Sequence, residues 1–150
     1  MTLSWSTELA LGIPVIDSQH QRIVEYINQL EHASHTHSAA ELKAVLEELV
    51  DYTLSHFAFE ESLMEEAGYT FINAHKKVHQ LFTKRVELFC GRADAGEDVT
   101  AELLHVLKAW LVNHIKRDDR DYAADVKANL VSATQRVKAR KERWFNRLFG

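Results

Sequence analysis

The chain has 150 residues, 46% of them hydrophobic, with 18 Lys and Arg against 22 Asp and Glu for a formal net charge of −4. That length suits one domain with a real core, and the acidic balance carries no nucleic-acid footprint. No run approaches the ~18 apolar residues of a membrane span, the single cysteine, Cys90, excludes an intrachain disulfide, and no signal-peptide pattern opens the chain, so a reducing, cytoplasmic setting is expected.

One proline and five glycines leave few helix breakers, and nine histidines are the compositional oddity. Residues 1–16 read as an irregular arm, broken by Gly12 and Pro14 but apolar enough to pack through Trp5, Leu9, Leu11, Ile13 and Ile16. Asp17 or Ser18 then reads as an N-cap. The first helix follows, with His20, Ile23, Val24, Ile27 and Leu30 at helical spacing. Residues 33–38 read as a polar loop. A second helix is expected over 39–67, its core face formed by Leu42, Val45, Leu46, Leu49, Thr53, His56, Glu60 and Leu63, with Gly68 as its stop. A third is expected over 70–90 on Phe71, Ala74, His75, Val78, His79, Phe82, Val86 and Phe89. After a loop over 91–98, a fourth covers 99–115, with Leu103, Leu107, Trp110, Leu111 and His114 on one face. Further helical character continues over 118–128 and from Leu130 onward. The fold class is therefore all-α, an up-down-up-down four-helix bundle over 1–130 with an N-terminal arm and an extra C-terminal helix over 131–150.

His56 and Glu60 stand one turn apart on a mostly apolar face. Buried ionisable groups are costly unless paired or bound to a metal. Antiparallel neighbours joined by a short loop should carry partner groups at similar distances from that loop. His20 and His56 lie about fifteen and eighteen residues from the first loop, His56/Glu60 and His75/His79 about ten and eight from Gly68, and His79 and His114 about twelve and fourteen from the third loop. At ~1.5 Å per residue these mismatches amount to only ~3–5 Å, so all four helices place polar groups near one level. Asp119 fits only if the helix loosens after Ile115, because five residues turn it ~140° from His114. Asp118 and Asp121 compete for its place, and spacing does not choose among them.

Five imidazoles and two carboxylates that each bridge give nine bonds, and a bridging oxo or hydroxo gives two more. Two octahedral ions need twelve, so one position stays open. Such mixed ligands suit iron, with manganese or zinc as alternatives. No Lys, Cys or spare carboxylate sits at core spacing as a proton donor, which suits reversible binding of a small ligand better than catalysis.

These residues resemble the hemerythrin family, and in particular its single-domain bacterial members, the bacteriohemerythrins. The match covers about residues 5–122. It includes Trp5, Gly12, Ile16-Asp17-Ser18-Gln19-His20, the His56-Phe57-x-x-Glu60-Glu61 run and His75-x-x-x-His79, and ends with Trp110-Leu111-x-x-His114-Ile115-x-x-x-Asp119-x-x-Tyr122. The resemblance implies a non-haem centre of two Fe ions (Fe2+/Fe3+) that binds O2 reversibly. It assigns His75, His79 and His114 to the saturated iron, His20 and His56 to the iron with the open position, and Glu60 and Asp119 as bridges. It also assigns Ile23, Phe57, Trp110, Leu111 and Ile115 to an apolar O2 pocket that slows autoxidation by excluding water. The expected function is that of an oxygen carrier, store or sensor, with delivery of O2 to an oxidase or oxygenase as one use. A di-iron redox enzyme (peroxidase, nitric oxide reductase or ferroxidase) is the alternative.

His32, His35 and His37 read as solvated loop residues, His105 as surface or satisfied core, Glu61 as outward or in contact with a ligand, and Cys90 as an inert thiol. Residues 133–150 carry six basic residues against one acidic, whereas 1–132 carry twelve against twenty-one. On a helix Val137, Trp144 and Leu148 share one side, bordered by Phe145, between basic residues. Such a helix can meet an anionic membrane surface or an acidic partner. The plainer expectation is that it folds back and buries Trp144 on the bundle of a monomer.

Overall fold

The computed structural model describes residues 2–36 and 38–149, which leaves His37 outside the described residues. Helices α1 (Pro14–Thr36), α2 (Ala39–Ala67), α3 (Ile72–Asp94) and α4 (Thr100–His114) run up, down, up and down, and a π-helical turn over Ile115–Asp119 leads into α5 (Arg120–Phe149). The start of α5 completes the fourth helix of the bundle and packs against α2, while α1 packs on α2 and α4. Among the described residues no helix is long and apolar enough to cross a membrane.

Local chemistry sets the helix ends. Pro14 opens α1, a first-turn position where its missing N–H costs nothing. Helix α1 thus begins earlier than the sequence suggests, and Asp17 is not its cap. Its carboxylate instead accepts the backbone N–H groups of Leu11 at 2.8 Å and Gly12 at 3.0 Å, tying the arm to the helix. Gly12 sits at φ 78°, a left-handed conformation that L side chains rarely adopt, so the backbone there favours glycine. The arm also contains a 3-10 turn over Thr7–Leu9. Ser38 and Glu41 form a capping box at the start of α2, and Gly68 ends α2 in the left-handed region, as its position suggests.

Other boundaries shift. Helix α1 continues to Thr36, so His32 and His35 are exposed helical residues rather than loop residues. Helix α3 runs through Gly91 to Asp94, which shortens the following loop. Ala74, expected on the core face of α3, is exposed beside the buried stripe of His75, His79, Phe82, Val86 and Phe89. The core is built on Ile16, Ile27, Leu30, Leu49, Met64, Leu103 and Tyr122, all nearly inaccessible.

The tail does not fold back. Its last buried residue is Val126, and Trp144 is 60% exposed. Helix α5 is one continuous rod, and its axis carries residues beyond about 130 past the end of the bundle.

Candidate metal centre

Each bundle helix turns polar groups inward at one level. Helix α1 supplies His20, α2 supplies His56 and Glu60, α3 supplies His75 and His79, α4 supplies His114, and the π turn supplies Asp119. All seven are buried, Glu60 and Asp119 completely. Their donor atoms fall into two groups. Glu60, His75, His79, His114 and Asp119 form one, and His20, His56 and Glu60 form the other. Glu60 belongs to both, and Asp119 reaches toward the second group, with Oδ2 3.1 Å from His20 Nε2. Of the three competing aspartates, the turn brings Asp119 to the centre, leaves Asp121 exposed and sets Asp118 behind the ring of His114.

Three of the imidazoles, those of His56, His79 and His114, face inward through Nε2 while their Nδ1 atoms are occupied. His56 Nδ1 donates to Gln19 Oε1 at 2.7 Å, His79 Nδ1 to Glu61 Oε1 at 2.8 Å, and His114 Nδ1 to Asp118 Oδ2 at 2.8 Å. Such contacts fix the tautomer of a ligating histidine and orient its ring. Phe57 stacks on His79 at 3.9 Å and Trp110 on His114 at 4.2 Å between ring centroids, which restrains the rings further. The Tyr122 hydroxyl donates to Glu60 Oε1.

The arrangement fits metal ions and is hard to explain without them. With their protons committed to Glu61 and Asp118, the Nε2 atoms of His79 and His114 present lone pairs to each other 3.0 Å apart, and His75 Nε2 lies 3.1 Å from His79 Nε2. Facing lone pairs repel unless a cation lies between them. Nitrogens held at right angles about an ion at ~2.1 Å stand ~3 Å apart. Both oxygens of Asp119, Oε2 of Glu60 and both nitrogens of His20 make no hydrogen bond, although His114, His20 and His75 approach Asp119 at 2.9, 3.1 and 3.2 Å. Buried acceptors are seldom left so.

Without a cation the site must borrow protons. Burial opposes charge on His75 and His114, yet Asp119, with Glu60 and Asp118, lifts them to about 9 and about 10. Burial dominates at His56 and lowers it to about 4. Burial and Asp119 favour a neutral Glu60, but the surrounding imidazoles hold it at about 2. Imidazoles this basic are positioned to exchange protons for metal.

A cavity of about 10 Å³ adjoins His20, His56 and His114, with room for about one water-sized molecule. Of the expected pocket residues, Ile23, Phe57, Trp110 and Leu111 line it, whereas Ile115 is buried outside its wall. Ile27, Leu49, Phe82 and Leu107 complete the wall. Thr53, the one hydroxyl there, donates to the Leu49 carbonyl at 2.7 Å.

The sequence reading missed the parts of Gln19 and Tyr122. Both lie inside the quoted motifs, but their partners sit on other helices. Asp118 enters the sequence reading only as a rival ligand, although its i, i+4 spacing sets it under His114.

Comparison with known proteins agrees with this geometry. The family model described as "Hemerythrin HHE cation binding domain" matches residues 11–126. A bacteriohemerythrin of Stenotrophomonas maltophilia (strain R551-3) is 53% identical over 128 residues, 85% of this chain and 84% of that protein. One from Pseudomonas aeruginosa (strain LESB58) is 51% identical over 146 residues, 97% of this chain and 94% of that protein. A solved wild-type hemerythrin superposes with a TM-score of 0.80 at 28% identity, covering 84% of this chain and 98% of that one.

Proposed function

The chain belongs to the hemerythrin family, and from that premise we infer that its bundle holds two irons and binds O2 reversibly. The observation that carries this reading is the pair of buried donor groups that share Glu60, with Asp119 reaching from one to the other. In the proposed assignment His75, His79 and His114 would hold one iron, His20 and His56 would hold the other, and Glu60 and Asp119 would be shared between them. His20 and His56, which would hold the iron with fewer histidines, line the cavity. When bound, the two irons supply the electrons and the open coordination position that O2 needs.

The protein's own residues do the rest. Gln19, Glu61 and Asp118 hold three imidazoles in the ligating tautomer. Tyr122 keeps one oxygen of Glu60 in place. Ile23, Leu107, Trp110 and Leu111 exclude water from the cavity, so proton delivery to bound O2 is slow. A carrier, store or sensor is favoured over a redox enzyme because the one hydroxyl in the cavity wall is already committed to a backbone carbonyl. All seven proposed ligands come from one chain, so a monomer suffices. We also propose that the functional unit ends near residue 130 and that the helix beyond it is a separate device.

The test is optical. Anaerobically reduced, iron-loaded protein exposed to air should gain an O2-dependent absorption band that disappears when O2 is removed, over repeated cycles. Irreversible oxidation with peroxide or nitric oxide turnover would establish the enzyme instead.

A further inference from the structure

Helix α5 continues far past its last buried residue, Val126, and every described residue from Thr134 to Phe149 is exposed. Sixteen helical residues extend ~24 Å. Helices in proteins draw most of their stability from packing an amphipathic face, and this one has such a face with nothing on it. Val137, Trp144 and Leu148 form one strip and are 63%, 60% and 56% exposed. Arg136, Arg140, Arg143 and Arg147 form a continuous stripe along one flank of that strip. Lys138 and Lys141 lie along the other flank, where Phe145 and Phe149 pair at 4.8 Å between ring centroids. Among the described residues, none of these six cations forms an ion pair.

We propose that this helix lies in the plane of an anionic lipid surface and holds the bundle against it. The charge pattern selects this occupant. Cations on both flanks of one apolar strip match a planar layer of anionic headgroups, in which the strip enters the acyl boundary while both flanks stay at the phosphates. Trp and Phe suit that depth. The competing occupant is a second copy of the chain, because an apolar groove rimmed by Glu47, Asp51, Asp94 and Asp98 lies between α2, α3 and α4. That groove sits at the end of the bundle opposite the tail. Seating a tail there is a head-to-tail contact, which generates open chains unless the rotation closes a ring. The acidic body is repelled by the same lipid that attracts the tail, so the tail alone makes the contact.

The test uses full-length, iron-loaded protein and vesicles of phosphatidylcholine with or without phosphatidylglycerol. At low salt the protein should sediment with the anionic vesicles and about tenfold or more less with the neutral ones, and Trp144 emission should shift to the blue, an effect absent in Trp144→Phe. The pair Arg140→Ala and Arg143→Ala should weaken binding by about tenfold or more, at roughly fivefold per cation. The pair Trp144→Ser and Leu148→Ser should also weaken it. All these positions are exposed, so iron content and melting temperature should stay at wild-type values. No sedimentation with anionic vesicles overturns the proposal, as does binding unchanged in either double variant. Tail-dependent self-association without vesicle binding also overturns it and assigns the helix to a second copy.

Discussion

Tyr122→Phe isolates one hydrogen bond in the centre. The Tyr122 ring is fully buried between Tyr69 and His75, so phenylalanine keeps the packing and removes only the hydroxyl. That hydroxyl donates to Oε1 of Glu60, itself inaccessible. Burial, then the charge of Glu60, raises the phenol far above its usual range, so it remains a donor at any working pH. Losing a hydrogen bond to a buried charged group costs about 2 kcal/mol. In a chain of this length that corresponds to a melting point lower by ~4–8 °C. Loss of the contact that orients a ligand should also weaken metal binding by ~10- to 100-fold. Calorimetry of the iron-loaded variant measures the first, and the rate of iron loss to a chelator measures the second. A melting point within ~1 °C of wild type, with iron loss unchanged, would show that Tyr122 merely fills space.

Three further outcomes separate the parts of the centre. Glu60→Ala should abolish stoichiometric iron binding and destabilise the fold, whereas Glu61→Ala should keep two irons per chain and lose them faster, as metal analysis before and after dialysis will show; the reverse pattern would sink the assignment of Glu60 as bridge. Leu111→Ala enlarges the cavity, so it should cost ~2–5 kcal/mol and shorten the lifetime of the O2-bound protein, and an unchanged autoxidation rate would remove Leu111 from the water barrier. Metal uptake by the stripped protein should release protons at pH 7, because His75 and His114 at about 9 and about 10 are charged there and must be neutral to ligate. Uptake should therefore weaken as pH falls, and calorimetry in buffers of different ionisation heat gives the proton count; no release would refute the basic imidazoles.

Much of this site was legible because helical phase and loop distance are sequence properties. His56 and Glu60 are one turn apart whatever surrounds them, and short connections force the ligands of neighbouring helices to one level. The contacts behind the ligands were less legible. Gln19 bonds His56, and Tyr122 bonds Glu60, across helix pairs whose register is set by core packing. Apolar periodicity fixes which face of a helix points inward, but not which atom of a long polar side chain meets which ring. The tail was misread for a related reason. Trp144 and Val137 give a strip that could be buried, and only the unbroken course of α5 with its exposed end shows that the strip meets no bundle surface.

The π turn at Ile115–Asp119 is where sequence and function meet most tightly. Nothing in Ile-Lys-Arg-Asp-Asp breaks a helix, since neither proline nor glycine is present. A regular helix would put Asp118 below His114 and turn Asp119 away from it. The structure sets both residues on the same ring, Asp118 at Nδ1 and Asp119 beside Nε2, where the proposed function has it bridge. The wider i→i+5 closure of a π turn brings the fifth residue back under the first while keeping the fourth nearby. The resulting distances are 2.8 Å from His114 Nδ1 to Asp118 and 2.9 Å from His114 Nε2 to Asp119. One imidazole thus contacts both carboxylates. The same widening resets the phase of α5, placing Tyr122 against Glu60 and Val126 in the core. A π turn at a functional site is therefore the means by which two adjacent aspartates take different roles on one histidine.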